Sequence, residues 1–246
     1  LYQPDTGIDF TSRMNHFCED YLSKVNEIDG FILKSNSPSC GIKSAKTYLK
    51  SNPMPNGKDS GFFAADVIKK FPNHPKEEEK RLNNPFIREH FYASIFTVAD
   101  FRSVINFDTL YKYHAKHKYL FMSFNQILLR QMGKIAANIE EKSIDMVINR
   151  YYKKLLLLLS KKPRYSSNIN TQMHVMGYFK KEITKKEKDH FLETLELYRN
   201  RKIPISGVNS ILSSWISRFE NEYLMKQSFF NPFPIELIQN DISRFE

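Results

Sequence analysis

The sequence predicts a mainly α protein in which a partial α/β region comes first and an all-α domain follows. Two observations carry this. A helical pattern closes on a short apolar run, Phe31-Ile32-Leu33, that empties into a loop of Ser, Pro and Gly, and from Phe86 onward apolar residues recur almost throughout at helical spacing. Composition agrees with a folded chain, since 41% of the 246 residues are hydrophobic and 14% aromatic, which excludes a disordered class. The longest apolar run, 155–159, is flanked by Lys153, Lys154, Lys161 and Lys162 and falls far short of the ~20 residues a membrane span takes. Two cysteines and no signal-peptide pattern predict a reducing, cytoplasmic setting without a structural disulfide. The formal charge of +10 suits an anionic partner such as RNA, although the 37 basic residues are spread along the chain. Leu1 is not Met, and residues are expected upstream of it.

Asp9-Phe10-Thr11-Ser12 offers capping groups, and Met14, Phe17, Cys18, Tyr21, Leu22 and Val25 follow on one helical face. Asp29-Gly30 ends that helix and leads into the apolar run. A helix followed closely by a short strand is half of an α/β crossover, the building unit of Rossmann-like sheets. Cys18, on the apolar face, reads as core packing. The loop Lys34-Ser35-Asn36-Ser37-Pro38-Ser39-Cys40-Gly41 lies at the strand's carboxyl end, where open α/β sheets place their ligands, and gathers a thiol, hydroxyls and Lys34. Residues 42–49 read as helical or partly extended, and Asn52-Pro53-Met54-Pro55-Asn56-Gly57 as a break. Residues 61–71 restore helical spacing until Pro72-Asn73-His74-Pro75 stops it, so the α/β region is expected to occupy 1–72. A connector and long helix, 73–107, come next; the alternating charges of 76–81 read as solvated and Pro85 as a helix start.

The all-α domain is expected over 108–246, with one or two helices in 110–132 and others at 144–159, 170–180, 185–199 and 208–219. Pro163, Pro204 and Asn231-Pro232-Phe233-Pro234 punctuate it, with a short extended piece allowed at 203–205 and no other strand signal after about residue 80. His114 and His117 are three apart, hence on one helical face, where two imidazoles could hold a metal or, with Lys118, a phosphate. No third ligand stands at suitable spacing, so half-buried, hydrogen-bonded histidines are the plainer reading.

The run 34–41 resembles the signature loop of the thiouracil desulfidase family, the TudS or YbbK type. The stretch of acidic residues, Arg81-Leu82, Asn84-Pro85 and Arg88-Glu89-His90-Phe91 resembles the segment after that loop in longer members. Residues 114–120, 173–180, Ile203-Pro204 and 232–237 are similar to the helical domain typified by YbgA, across most of 108–240. Asn168 stands where a His is usual there, and Ser123-Phe124 replaces a small residue plus His.

The first resemblance implies that Cys40 is one of three thiolate ligands of a [4Fe-4S] cluster whose open iron takes the sulfur of 2-thiouracil. It further implies that Ser37, or second Ser39, orients substrate or water, and that Lys34 steadies an anionic sulfur. The other two ligands and the acidic base are expected upstream, so this chain by itself is expected to hold no cluster and to be inactive. The second resemblance takes in His114, His117, Lys118, Tyr119, His174, Tyr178 and Lys180 as a candidate second-domain site but implies no settled role for it; the partners expected of the whole protein are a thiolated nucleobase or nucleoside, and RNA. The alternative is a non-catalytic helical binding module for RNA or a protein partner.

Overall fold

The computed structural model describes residues 1–49, 52–137 and 142–238, the side chains of 52 and 53 excepted. Residues 138–141 and 239–240, within the YbgA-like stretch, lie outside the described residues. The chain divides into two units, Leu1–Ile95 and Phe96–Glu246.

In the first unit, β1 (Tyr2–Gln3) and β2 (Ile8–Asp9) form a small antiparallel hairpin. The carboxylate of Asp9 then accepts from the Thr11 N–H at 2.9 Å and starts α1 (Thr11–Ser23). The apolar face of α1 is narrower than its spacing suggests. Cys18 and Leu22 are buried, whereas Phe17 is 53% and Tyr21 52% exposed, stacked on each other with Tyr21 edge-on to Phe63. β3 (Phe31–Leu33) buries Phe31 and Leu33 and turns Ile32 outward. These pack with Leu22, Ala64 and Val67 into a compact core.

Two expectations are corrected after β3. The break at 52–57 belongs to a strand: β4 (Ala45–Leu49) pairs antiparallel with β5 (Asn52–Asp59). The register shifts where Tyr48 faces Pro55, and that irregularity accommodates a residue with no N–H to give the ladder. After α2 (Phe62–Lys70), the charged stretch read as a solvated connector holds β6 (Lys76–Glu78), parallel to β3 with Leu33 opposite Glu78. Its alternating charge concealed it because Glu78, only 4% exposed, is the inward residue.

α3 (Pro85–Asp100) begins as expected, with the Asn84 side chain accepting from the N–H of Phe86 at 3.0 Å. The second unit is helical throughout its described residues. Where one or two helices were expected over 110–132 there are three: α4 (Phe107–Lys116), α5 (Lys118–Phe124) and α6 (Gln126–Ala136). His117 makes the first bend, and Asn125, capping α6 through the Leu128 N–H, makes the second. α7 (Ile144–Leu159) and α9 (Lys185–Arg199) match their sequence patterns, α9 opening on a Thr184/Glu187 capping box. Between them α8 (Tyr165–Met176) starts before residue 170. α10 (Ile205–Arg218) starts directly after Pro204, so the extended piece at 203–205 is not formed, and α11 (Glu222–Met225) follows. Leu110, Phe121, Met132, Tyr151, Leu155, Phe191 and Leu212 form the fully buried centre. No helix among the described residues is long and apolar enough to cross a membrane.

Candidate functional site

The loop leaving β3 is folded by carboxylates and hydroxyls. The N–H of Ser35 donates to Glu79 at 2.6 Å and its hydroxyl lies 3.2 Å from the same oxygen. Glu79 is held below the ordinary carboxylate range: burial pushes it up, but the hydrogen bonds from Ser35 outweigh this. Asn36 takes a left-handed conformation (φ 57°), which Asn tolerates, and its N–H reaches Ser44 Oγ at 2.9 Å. Buried Glu78 closes the loop from the other side, accepting from the N–H of Ile42 at 2.5 Å and from the Ser44 hydroxyl.

Inside this frame three predicted residues converge. Ser37 Oγ accepts from the N–H groups of Ser39 (3.3 Å) and Cys40 (3.2 Å), lies 3.0 Å from Ser39 Oγ, and Ser39 Oγ lies 3.3 Å from Cys40 Sγ. The result is a row of two hydroxyls ending on a half-buried thiol. Lys34 is exposed and takes no part in this row. The amino end of α2 holds the row from behind, its Phe62 and Ala64 N–H groups donating to the carbonyls of Pro38 (3.2 Å) and Ser39 (3.1 Å).

The closeness of that contact requires Gly61. A Cβ there would lie 2.4 Å from the Ser39 carbonyl carbon and 2.7 Å from the Cys40 nitrogen. Gly61→Ala is therefore expected to destabilise the first unit by about 1–3 kcal/mol and to displace the thiol. Urea unfolding checks this, and an unchanged midpoint would refute it.

Cys18 is fully buried, and burial pushes its thiol up, with Asp66, Cys40 and Glu19 adding to the effect. Among the described residues no group of three or more His, Cys, Asp and Glu side chains is placed to hold a metal. Cys18 and Cys40 are two thiols, one fewer than the three-thiolate set of a [4Fe-4S] cluster needs.

In the helical unit the two histidines of the 114–120 stretch have separate partners. His114 Nδ1 is 2.8 Å from the Tyr151 hydroxyl, and burial drives its pKa down to about 4, with Lys118 and His117 adding to the shift. His117, 3% exposed, puts Nε2 2.7 Å from Asp100 Oδ2 and Nδ1 2.7 Å from Ser228 Oγ. Burial lowers the His117 pKa against the opposing pull of Asp100, while the hydrogen bond from His117 holds Asp100 at about 2. Both shifts describe a neutral ring that donates from Nε2 to a carboxylate and accepts at Nδ1 from the Ser228 hydroxyl. His114 is part-buried and hydrogen-bonded, whereas His117 is buried more fully than the half-buried position expected of it.

Tyr119 donates to the Tyr178 hydroxyl at 3.0 Å, Tyr178 stacks on Tyr223, and the Lys118 ammonium sits 5.6 Å from the Tyr119 ring. His174 and Lys180 are exposed and outside this network. The sequence offered no sign of Asp100 or Ser228, which stand 17 and 111 residues from His117. Where the chain departs from the YbgA-like pattern, the substitutes are satisfied: Asn168 donates to Tyr198 at 2.8 Å and Ser123 to the Leu120 carbonyl at 2.7 Å.

Residues 2–79 match the family described as 2-thiouracil desulfurase, and residues 118–234 match a family described as protein of unknown function, DUF1722. The uncharacterized protein YbgA of Escherichia coli (strain K12) is 25% identical over 126 residues, which cover 51% of this chain and 75% of YbgA. No solved structure matches the chain. The order of the two matched regions is the fusion that the motifs implied.

Proposed function

We propose that this chain, which joins a 2-thiouracil desulfurase region to a YbgA-type helical domain, serves the removal of sulfur from 2-thiouracil or a closely related thiolated nucleobase. The observation that supports it is the hydroxyl row ending on Cys40 at the mouth of β3, inside the matched region. The net reaction is a hydrolysis in which a C–O bond forms from water at C2, the C–S bond breaks, and sulfur leaves as hydrosulfide. A thiocarbonyl sulfur is soft and polarisable, and a thiol is its natural neighbour. Cys40 meets that sulfur, Ser39 donates toward it as charge develops, and Ser37 fixes both through the backbone bonds it accepts. Were the iron–sulfur cluster that the resemblance implies bound, Cys40 would be the residue of this loop that ligates it and brings the soft metal to the thiocarbonyl sulfur.

The test is incubation of the full-length protein with 2-thiouracil, with and without anaerobic loading of iron and sulfide, reading uracil and sulfide together. Turnover is expected, and Ser37→Ala is expected to slow it on the order of 10²-fold. Absence of product from 2-thiouracil and from its nucleoside under both conditions would overturn the reading.

A further inference from the structure

We infer that the cleft between α8 and the carboxyl end of α9 binds a nucleotide of single-stranded RNA, with its base against Tyr165 and its phosphate among the neighbouring arginines. The cleft is an open depression of about 630 Å³ lined by Tyr165, Ser166, Ile169, Asn170, Met173 and Arg199. That volume falls in the range of small-molecule sites. Its wall is built in advance. Tyr165 lies on Tyr198 with ring centroids 5.1 Å apart, the buried side chain of Asn168 holds the Tyr198 hydroxyl at 2.8 Å, and the Arg201 guanidinium sits 5.3 Å from the Tyr165 ring. Ile169 and Met173 offer an apolar floor for a base, and Ser166 and Asn170 offer donors and acceptors for its edge.

Charge selects the anion. Segments 161–166 and 196–202 carry Lys161, Lys162, Arg164, Arg199, Arg201 and Lys202 against the single acid Glu196, which pairs with Arg199 at 2.5 Å. All of these basic side chains are exposed. Arg201 stands in the left-handed position after α9 (φ 59°), where Gly is the usual residue, with its N–H donating to the Tyr198 carbonyl at 2.9 Å. That turn carries its guanidinium back over Tyr165. An aromatic wall beside clustered guanidinium groups is the combination that holds unpaired nucleotides. This site is separate from the loop reaction and stands or falls without it.

The experiment is fluorescence anisotropy of a labelled octauridylate titrated with the full chain, with uridine monophosphate and uridine as competitors. Binding is expected, weakening roughly tenfold or more between about 50 and 200 mM salt. Tyr165→Ala is expected to weaken it about tenfold or more and Tyr165→Phe to restore it. Arg201→Gln is expected to weaken binding and flatten the salt dependence, and Cys40→Ala to leave both unchanged. Displacement by the monophosphate but not by uridine would confirm the phosphate contact. A monophosphate that binds as tightly as the oligomer would overturn the RNA strand as the source of the nucleotide. No binding, or binding that ignores both Tyr165→Ala and Arg201→Gln, would overturn the site.

Discussion

Cys40→Ala is expected to reduce sulfide release from 2-thiouracil by on the order of 10³-fold or more while leaving unfolding almost unchanged. The contrast with the other thiol makes the result informative. Cys40 is half-buried at the end of the serine row and packs only at the edge of the first unit's core, so removing its sulfur takes away a reactive group at a smaller packing cost than at Cys18. Cys18 is wholly buried, and Cys18→Ala is expected to cost about 1–2 kcal/mol of stability with turnover largely kept. Parallel assays of both variants, each with its urea midpoint, decide the matter. An active Cys40→Ala protein would remove the loop thiol from the reaction, and an inactive but stable Cys18→Ala protein would overturn the assignment of Cys18 to packing alone.

The helical unit is expected to lose stability as the pH falls below about 6.5. His114 and His117 both have lowered pKa values in the fold, so the unfolded chain takes up their protons first and is favoured on acidification. For His114 the window runs from about 6.5 in the unfolded chain to about 4 in the fold, a loss on the order of 2–3 kcal/mol. Asp100 acts later. Its folded value of about 2 lies below the unfolded 3.8, so its contribution is present above about pH 4 and drains away as the pH falls toward 2. With about a third of its side chain open to solvent, that contribution is only on the order of 1 kcal/mol. Urea midpoints at about pH 7.5, 5.5 and 4.5 test this; His114→Gln, which keeps a partner for Tyr151 but cannot titrate, should flatten the slope. Identical slopes in the two proteins would refute the assignment. His117→Ala, which leaves Asp100 with Lys116 but strips Ser228 of its ring partner and opens a cavity beside Phe121, is expected to cost about 2–4 kcal/mol.

The sequence by itself determined whatever is encoded over a few neighbouring residues. The mainly α character, the limits of α7 and α9, the strand Phe31–Leu33 and the proximity of Ser37, Ser39 and Cys40 all follow from local spacing and loop chemistry. Only the tertiary structure decided β6, because the residue it buries is a carboxylate. Glu78 can face inward only where Ile42 and Ser44, 36 and 34 residues away, supply donors to it. Asp100 and Ser228 were hidden for the same reason, each an ordinary polar residue until the fold sets it against a ring of His117 that is closed to water. The cleft at Tyr165 likewise exists only where the start of α8 meets the end of α9, and no spacing within either helix announces it. Burial of a polar group is a contract between distant segments, and its free energy is set by which partners arrive.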